Sequence, residues 1–246
     1  MAHVLTKEEL EKISSALGQE VATRHPFRSS LPAMFYQMKH FLESKLPRDS
    51  DIMFAVDQWP DYTAIFARYS NKKAVQGSST QENGDYLTYY WKEGGRGEDG
   101  LRTLLRDDKL VDWTKLSVLI AFPASGVTIL QEHWEKKEVT LKLKQYVTAF
   151  YPHKVVPEFE RHGWKPLSLD GYENVRGREL WVHCPRAQGK GYAMMAGTYY
   201  TKKCLEGGYL PFAYMEKNNE IAKKVSIKLG WVIYERGDCV SGLVTK

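Results

Sequence analysis

A glycine loop with basic neighbours is the segment best suited to hold an anion. It follows residues 180–184, an apolar run typical of a strand, and a helix-like segment comes after it. Glycine has no Cβ, so its backbone can approach a ligand closely, and the first N–H groups of a helix have no internal partner and bind phosphate well. The same pattern also occurs in strand–helix turns where the glycines only allow the backbone to turn and bind no ligand. The loop residues able to meet a phosphate are Arg186, Gln188, Gly189, Lys190 and Gly191.

Two common phosphate loops do not fit this segment. The sequence contains no G-x-x-x-x-G-K-[ST] pattern, which excludes a P-loop. A dinucleotide fingerprint needs three glycines as G-x-G-x-x-G, and Met194 occupies the third position.

The spacing Arg186-x-x-Gly189-x-Gly191 resembles the coenzyme A pyrophosphate loop of the GNAT-type N-acyltransferase superfamily. Residues 219–222 (Asn-Glu-Ile-Ala) and 228–231 (Lys-Leu-Gly-Trp) are similar to the second helix of that superfamily. Residues 54–62 (FAVDQWPDY) and 167–170 (LSLD) resemble the two halves of the glycine N-acyltransferase and glycine N-acyltransferase-like family.

This resemblance implies a mixed α/β (α+β) GNAT-like acyltransferase fold in two halves. Residues 1–152 would form an N-terminal half of the glycine N-acyltransferase type, and residues 153–246 a shortened acyl-CoA-binding half. In the family, two helices and two strands lie between the segment that residues 167–170 resemble and the strand before the glycine loop. Here Asp170 is followed almost at once by Glu179. The family also tends to lack the superfamily's Tyr general acid, and residues 225–227 read Val-Ser-Ile.

The implied reaction transfers an acyl group from acyl-coenzyme A, a co-substrate, to the amino group of glycine or a similar small amine. Such an attack needs a base to remove a proton. The resemblance implies a carboxylate on the strand before the loop, and Glu179 is the first candidate and His183 the second. Both residues point to one face of a strand, because they are four positions apart. The alternatives are a solvated strand end for Glu179 and a hydrogen-bonded structural histidine for His183.

The resemblance also implies a set of cofactor contacts. Backbone N–H groups near the strand would polarise the thioester carbonyl, and loop amides would hold the pyrophosphate. Asn219 either contacts the pantetheine arm or caps its helix, and Asn is a preferred N-cap. The expected cofactor-binding residues are Val182, Cys184, Arg186, Gln188, Gly189, Lys190, Gly191, Tyr192, Ala193 and Asn219. The shortened second half motivates an alternative function, a non-catalytic scaffold that binds coenzyme A weakly or acts through protein partners.

Composition limits the class of partner. The 246 residues carry 35 basic and 30 acidic side chains, a net charge of +5 that suits an anionic small molecule. This charge is too low and too dispersed to favour nucleic acid, and no apolar run is long enough to span a membrane. The three widely spaced cysteines, Cys184, Cys204 and Cys239, argue against a disulfide framework or zinc site. We therefore expect no metal and a reducing compartment. We also expect the protein to be a monomer. Family resemblance implies mitochondria, with the cytoplasm as the alternative.

Local patterns predict the elements of the first half. Thr6 and Glu9 are spaced as a capping box. Residues 31–46 predict an amphipathic helix with Met34, Phe35, Met38 and Phe41 on its apolar stripe. Residues 52–56 and 63–68 predict an antiparallel hairpin, followed by a strand at 86–92.

The remaining patterns are less regular. Residues 94–100 predict a flexible charged turn before a helix starting at Leu101, and residues 113–122 end in a predicted buried strand. Residues 130–151 contain an alternation that predicts another strand. A strand at 211–215 and an Asn-capped helix ending near residue 230 complete the prediction.

Overall fold

The computed structural model describes residues 1–23, 30–45, 50–71, 85–113, 117–137, 140–153 and 192–245. The chain divides into two compact units, and segments of the two units alternate along the sequence. Unit 1 contains Met1–Thr148, Tyr214–Asn218 and Tyr234–Lys246, and unit 2 contains Ala149–Ala213 and Asn219–Ile233. The division into halves at residue 152 stays a prediction.

The described residues form eight strands and six helices, and the architecture is mixed α+β, as predicted. The strands are β1 (His3–Val4), β2 (Ser50–Val56), β3 (Ala64–Asn71), β4 (Asp85–Trp91), β5 (Ser117–Pro123), β6 (Thr140–Phe150), β7 (Phe212–Glu216) and β8 (Val232–Thr245). The helices are α1 (Lys7–Thr23), α2 (Ser30–Leu42), α3 (Gly95–Arg106), α4 (Val127–Glu135), α5 (Tyr192–Glu206) and α6 (Glu220–Lys228). The sheet order is β1-β2-β3-β4-β5-β8-β6-β7. Most of the assigned pairs are antiparallel, and β4–β5 is parallel.

The capping box at the start of α1 is confirmed. The Glu9 carboxylate accepts a hydrogen bond from the Thr6 backbone N–H at 2.8 Å, and the Thr6 hydroxyl accepts one from the Glu9 N–H at 3.3 Å. Behind this cap, α1 and α2 pack on one side of the first strands through a set of buried apolar residues. That set includes Leu10, Ile13, Leu17, Leu31, Met34 and Met38.

Helix α2 is shorter than predicted. It ends at Leu42, with Ser44 already at φ 54°, instead of continuing to residue 46. Phe41 was predicted to lie in the apolar stripe but is 38% exposed, and its ring meets the edge of Phe54. A residue at the end of a helix can leave the core because fewer neighbouring side chains surround it.

The predicted hairpin is confirmed, and β2 pairs with β3 from Ser50↔Asn71 to Val56↔Ile65. The Asp57 carboxylate holds the connecting turn, since it accepts hydrogen bonds from the N–H groups of Thr63 and Ala64 at 2.8 Å each. The Thr63 hydroxyl donates to the same carboxylate at 2.6 Å. Asp57 thus has a structural role within the FAVDQWPDY segment.

The prediction of a flexible turn at residues 94–100 was wrong, because helix α3 begins at Gly95. Two of its three glycines are required for close packing. A Cβ on Gly97 would lie 1.8 Å from the carbonyl oxygen of Lys92, and a Cβ on Gly100 would lie 2.3 Å from the Thr63 hydroxyl. Helix α4 was also missed, because no helix was predicted at residues 127–135, whereas the strand predicted within residues 130–151 is present as β6. The side chains of Ile129, Leu130 and Trp134 in α4 are buried.

Strand β8 lies between β5 and β6 in unit 1, although it comes last in the chain. Next to it, β5 carries a bulge between Leu119 and Phe122. Ala121 in this bulge has φ 50°, and its N–H donates a hydrogen bond to the Ser241 hydroxyl at 2.9 Å. The helix–strand–helix–strand order of α3-β5-α4-β6 recurs as α5-β7-α6-β8. Strand β8, the last of the second series, pairs with β5, the first strand of the earlier series.

None of the helices in the described ranges is long and apolar enough to cross a membrane.

Candidate functional site

Most of the predicted site lies outside the described residues. This applies to both base candidates, Glu179 and His183, and to seven of the expected cofactor contacts: Val182, Cys184, Arg186, Gln188, Gly189, Lys190 and Gly191. Three of the expected contacts, Tyr192, Ala193 and Asn219, lie in unit 2. The candidate site is therefore built from the elements that follow the glycine loop.

Helix α5 begins at Tyr192, the residue directly after Gly191. The sequence predicted a helix at this point, and that prediction is confirmed. Tyr192 and Ala193 lie in the first turn, whose N–H groups form the positive end of the helix dipole. With 15 residues, α5 is long enough for that dipole to develop. The N-terminus of such a helix favours a nearby anion.

Asn219 is the N-cap of helix α6. Its side-chain oxygen accepts a hydrogen bond from the backbone N–H of Ala222 at 3.0 Å, which satisfies one donor of the first turn. The helix ends at Lys228, and Gly230 follows with φ 84°, a conformation that suits glycine. The predicted Asn-capped helix is thus confirmed, whereas contact of Asn219 with a pantetheine arm stays a prediction.

A close approach at Gly197 brings α5 and α6 together. A Cβ on Gly197 would lie 2.5 Å from Cδ1 of Leu229, the residue that caps the C-terminus of α6. Within α5, the Thr201 hydroxyl donates to the Gly197 carbonyl at 2.7 Å, and Thr201 is buried. The glycine therefore fixes how near the two helices lie.

An aromatic cluster supports these helices. The ring of Trp231 lies 6.3 Å from both Tyr200 and Tyr151, and its stacking with Tyr200 has an interplanar angle of 24°. The Tyr200 hydroxyl donates to the carbonyl of Phe212 at 3.3 Å, joining α5 to β7. No role was predicted for Tyr151 from the sequence. The aromatic residue after Gly230 was the signal that could have located this cluster.

Cys204 lies beside Tyr200 but is a poor nucleophile. Burial raises the pKa of its thiol, and a hydrogen bond with Tyr200 offsets only part of this rise. The thiolate is the reactive form of cysteine, so a raised pKa disfavours covalent chemistry here. Cys239 of unit 1 is fully buried. No group of three or more potential metal ligands occurs among the residues the structure describes.

Comparison with known proteins identifies the fold but no family. No family model matches the sequence, and a comparison with curated proteins finds no match. The chain is similar to an X-ray structure of a Drosophila protein, with a TM-score of 0.64 and 12% sequence identity. The match covers 99% of this chain and 97% of the other. At this identity the similarity shows a shared mixed α+β fold alone.

Proposed function

We propose that the chain transfers an acyl group from acyl-coenzyme A to the amino group of glycine or a similar small amine. One observation carries this proposal. Helix α5 starts directly after the glycine loop at 186–191, and it is followed by β7 and by a helix α6 that Asn219 caps. This order matches the sequence motifs that resemble the coenzyme A-binding half of GNAT-type acyltransferases.

Anion binding follows from the chemistry of the loop. Gly189 and Gly191 let the backbone approach a pyrophosphate, while Arg186 and Lys190 supply charge and Gln188 a neutral donor. The N-terminus of α5, with Tyr192 and Ala193 in its first turn, adds the helix dipole. The repeated helix–strand–helix–strand order fits a chain built from two GNAT-like halves.

In the proposed reaction, Glu179 accepts the proton that the attacking amine loses as its C–N bond forms. His183 is the second candidate for this role. Backbone N–H groups near Val182 and Cys184 would stabilise the charge that develops on the thioester oxygen. The C–S bond then breaks, and coenzyme A leaves as a thiolate that takes a proton to become the thiol.

Release of free thiol from acyl-coenzyme A in the presence of glycine tests this function. Glu179→Gln should abolish glycine-dependent release while coenzyme A binding is retained, because the amide cannot accept the proton. An unchanged rate would remove Glu179 from the mechanism.

The closeness of Asp170 to Glu179 in the sequence favours a second candidate, a non-catalytic scaffold that keeps the binding loop. A folded protein that binds coenzyme A but releases no thiol with any small amine would support that alternative.

A further inference from the structure

Gly197 lies in the interior of helix α5, five residues after the first residue of the helix, Tyr192. A glycine at such a position destabilises a helix relative to alanine, because it loses more conformational freedom on folding. Its presence here therefore calls for a packing reason. That reason is the end of α6, since a Cβ on Gly197 would lie 2.5 Å from Cδ1 of Leu229. Carbon atoms in ordinary contact are about 3.5–4.0 Å apart, so a side chain at this position has to displace α5, α6 or the leucine.

The turn of α5 that follows Gly197 is held by contacts on unit 2. Thr201 is buried, and its hydroxyl donates to the Gly197 carbonyl at 2.7 Å. The Tyr200 ring stacks on Trp231, with centroids 6.3 Å apart. The Tyr200 hydroxyl also donates to the Phe212 carbonyl at 3.3 Å. Tyr200 is therefore the point about which α5 would turn if Gly197 were displaced.

The geometry of the helix makes its first turn sensitive to this contact. With a rise of about 1.5 Å per residue, Gly197 lies about 4.5 Å and Tyr192 about 12 Å from Tyr200 along the axis. A displacement at Gly197 that turns α5 about Tyr200 is therefore enlarged about 2.7-fold at Tyr192. A shift of about 1 Å, enough to relieve the clash with Leu229, would move the first turn by more than about 2 Å. Groups that bind a ligand must be held within about 0.5 Å of their productive positions, so such a shift weakens binding.

We infer that Gly197 is a positioning residue for coenzyme A, because its contact with Leu229 sets where the first turn of α5 meets the pyrophosphate. The inference rests on the proposed function, in which that turn and the glycine loop at 186–191 hold the pyrophosphate together. Gly197 acts through the position of α5 and not by contact with the ligand. Its effect is therefore on the affinity for coenzyme A.

Calorimetric titration of full-length Gly197 variants with coenzyme A tests the inference. Gly197→Ala should raise the dissociation constant about threefold and Gly197→Val about tenfold or more, because rotation of the Leu229 side chain accommodates less of the larger, branched residue. The control is Gly95→Val in α3, where an added Cβ has nothing within 4 Å. It should leave the dissociation constant unchanged. A loss of folded protein alone lowers the number of binding sites but not their affinity, so the dissociation constant separates positioning from stability.

Leu229→Ala provides a rescue, because it removes the Cδ1 atom that a side chain at position 197 would meet. The affinity of the double variant Gly197→Ala/Leu229→Ala should return to within about twofold of that of Leu229→Ala alone. This comparison separates the contact with Leu229 from any other effect of alanine on α5.

Wild-type affinity in the folded Gly197 variants would overturn the inference and leave the proposed function in place. A loss of affinity in Gly197→Ala that Leu229→Ala does not restore would overturn it as well. Gly197→Ala, the milder change, decides the matter if Gly197→Val does not fold. If the folded wild-type chain binds no coenzyme A, the proposed function fails and the inference fails with it.

Discussion

The side-chain oxygen of Asn219 lies 3.0 Å from the backbone nitrogen of Ala222 and fixes the start of helix α6. This contact separates two roles that the sequence left open, since a side chain engaged in capping has less freedom to bind a ligand. The capping role is observed, and the ligand role can be tested against it.

Replacing Asn219 should affect stability more than binding. Asn219→Ala should lower the free energy of unfolding by about 1 kcal/mol, because it leaves a first-turn N–H without its acceptor. Asn219→Ser keeps a capping oxygen and should cost only a fraction of that. Urea denaturation measures both variants. If Asn219→Ser folds normally yet binds coenzyme A much more weakly, the residue contacts the ligand as well.

The two glycines at the start of α3 should respond to alanine in opposite directions. At Gly97 the added Cβ would meet the Lys92 carbonyl oxygen at 1.8 Å, so Gly97→Ala should destabilise the protein by about 2–3 kcal/mol. A Cβ on Gly95 has nothing within 4 Å, and Gly95→Ala should stabilise by about 0.5–1 kcal/mol through helix propensity and reduced freedom of the unfolded chain. Thermal or urea unfolding compares the pair. Equal effects would show that α3 does not pack closely on Lys92.

The hydroxyl of Tyr200 should contribute to the stability of unit 2. Tyr200→Phe removes the donor to the Phe212 carbonyl and should cost about 1 kcal/mol, while Tyr200→Ala also removes the stacking on Trp231 and should cost about 3 kcal/mol. Hydrogen exchange of the α5 amides reports the change locally. No difference between Phe and Ala at this position would rule out the stacking as a support for α5.

Stability should depend on pH through His133. Burial lowers the pKa of this histidine in the folded state from its ordinary value of 6.5. As the pH falls, the unfolded chain therefore binds the proton first. The stabilising contribution of neutral His133 is complete above about pH 6.5 and is lost as the pH falls below that value toward the folded-state pKa.

Urea denaturation in bis-tris chloride, above and below the ordinary histidine pKa, measures this dependence. His133→Gln should lose less stability between the two conditions than the wild type does. An identical loss in both proteins would mean that His133 does not titrate differently on folding.

Much of the fold follows from local signals in the sequence. The capping box at Thr6 and Glu9, the β2–β3 hairpin and the Asn219 cap each depend on a few neighbouring residues, and each is confirmed. The start of α3 was missed because Gly97 and Gly100 read as breakers, whereas their need for close contact is visible only once Lys92 and Thr63 lie beside them. The place of β8 between β5 and β6 is a long-range pairing that no local pattern specifies.

For the candidate site, the sequence predicted the helices and the strand but not the aromatic contacts between them. The motif order predicted α5, β7 and α6, and all three are present. Tyr151 was not assigned, because it lies far in sequence from its ring partner Trp231.

Calorimetric titration of the full chain with coenzyme A tests the central claim most directly. We expect saturable binding that a Gly189→Asp/Gly191→Asp variant loses, because the added carboxylates repel the pyrophosphate and fill the space beside the loop backbone. Circular dichroism checks that the variant is folded. A folded wild-type protein that does not bind coenzyme A, or a variant that binds it equally well, would contradict the account.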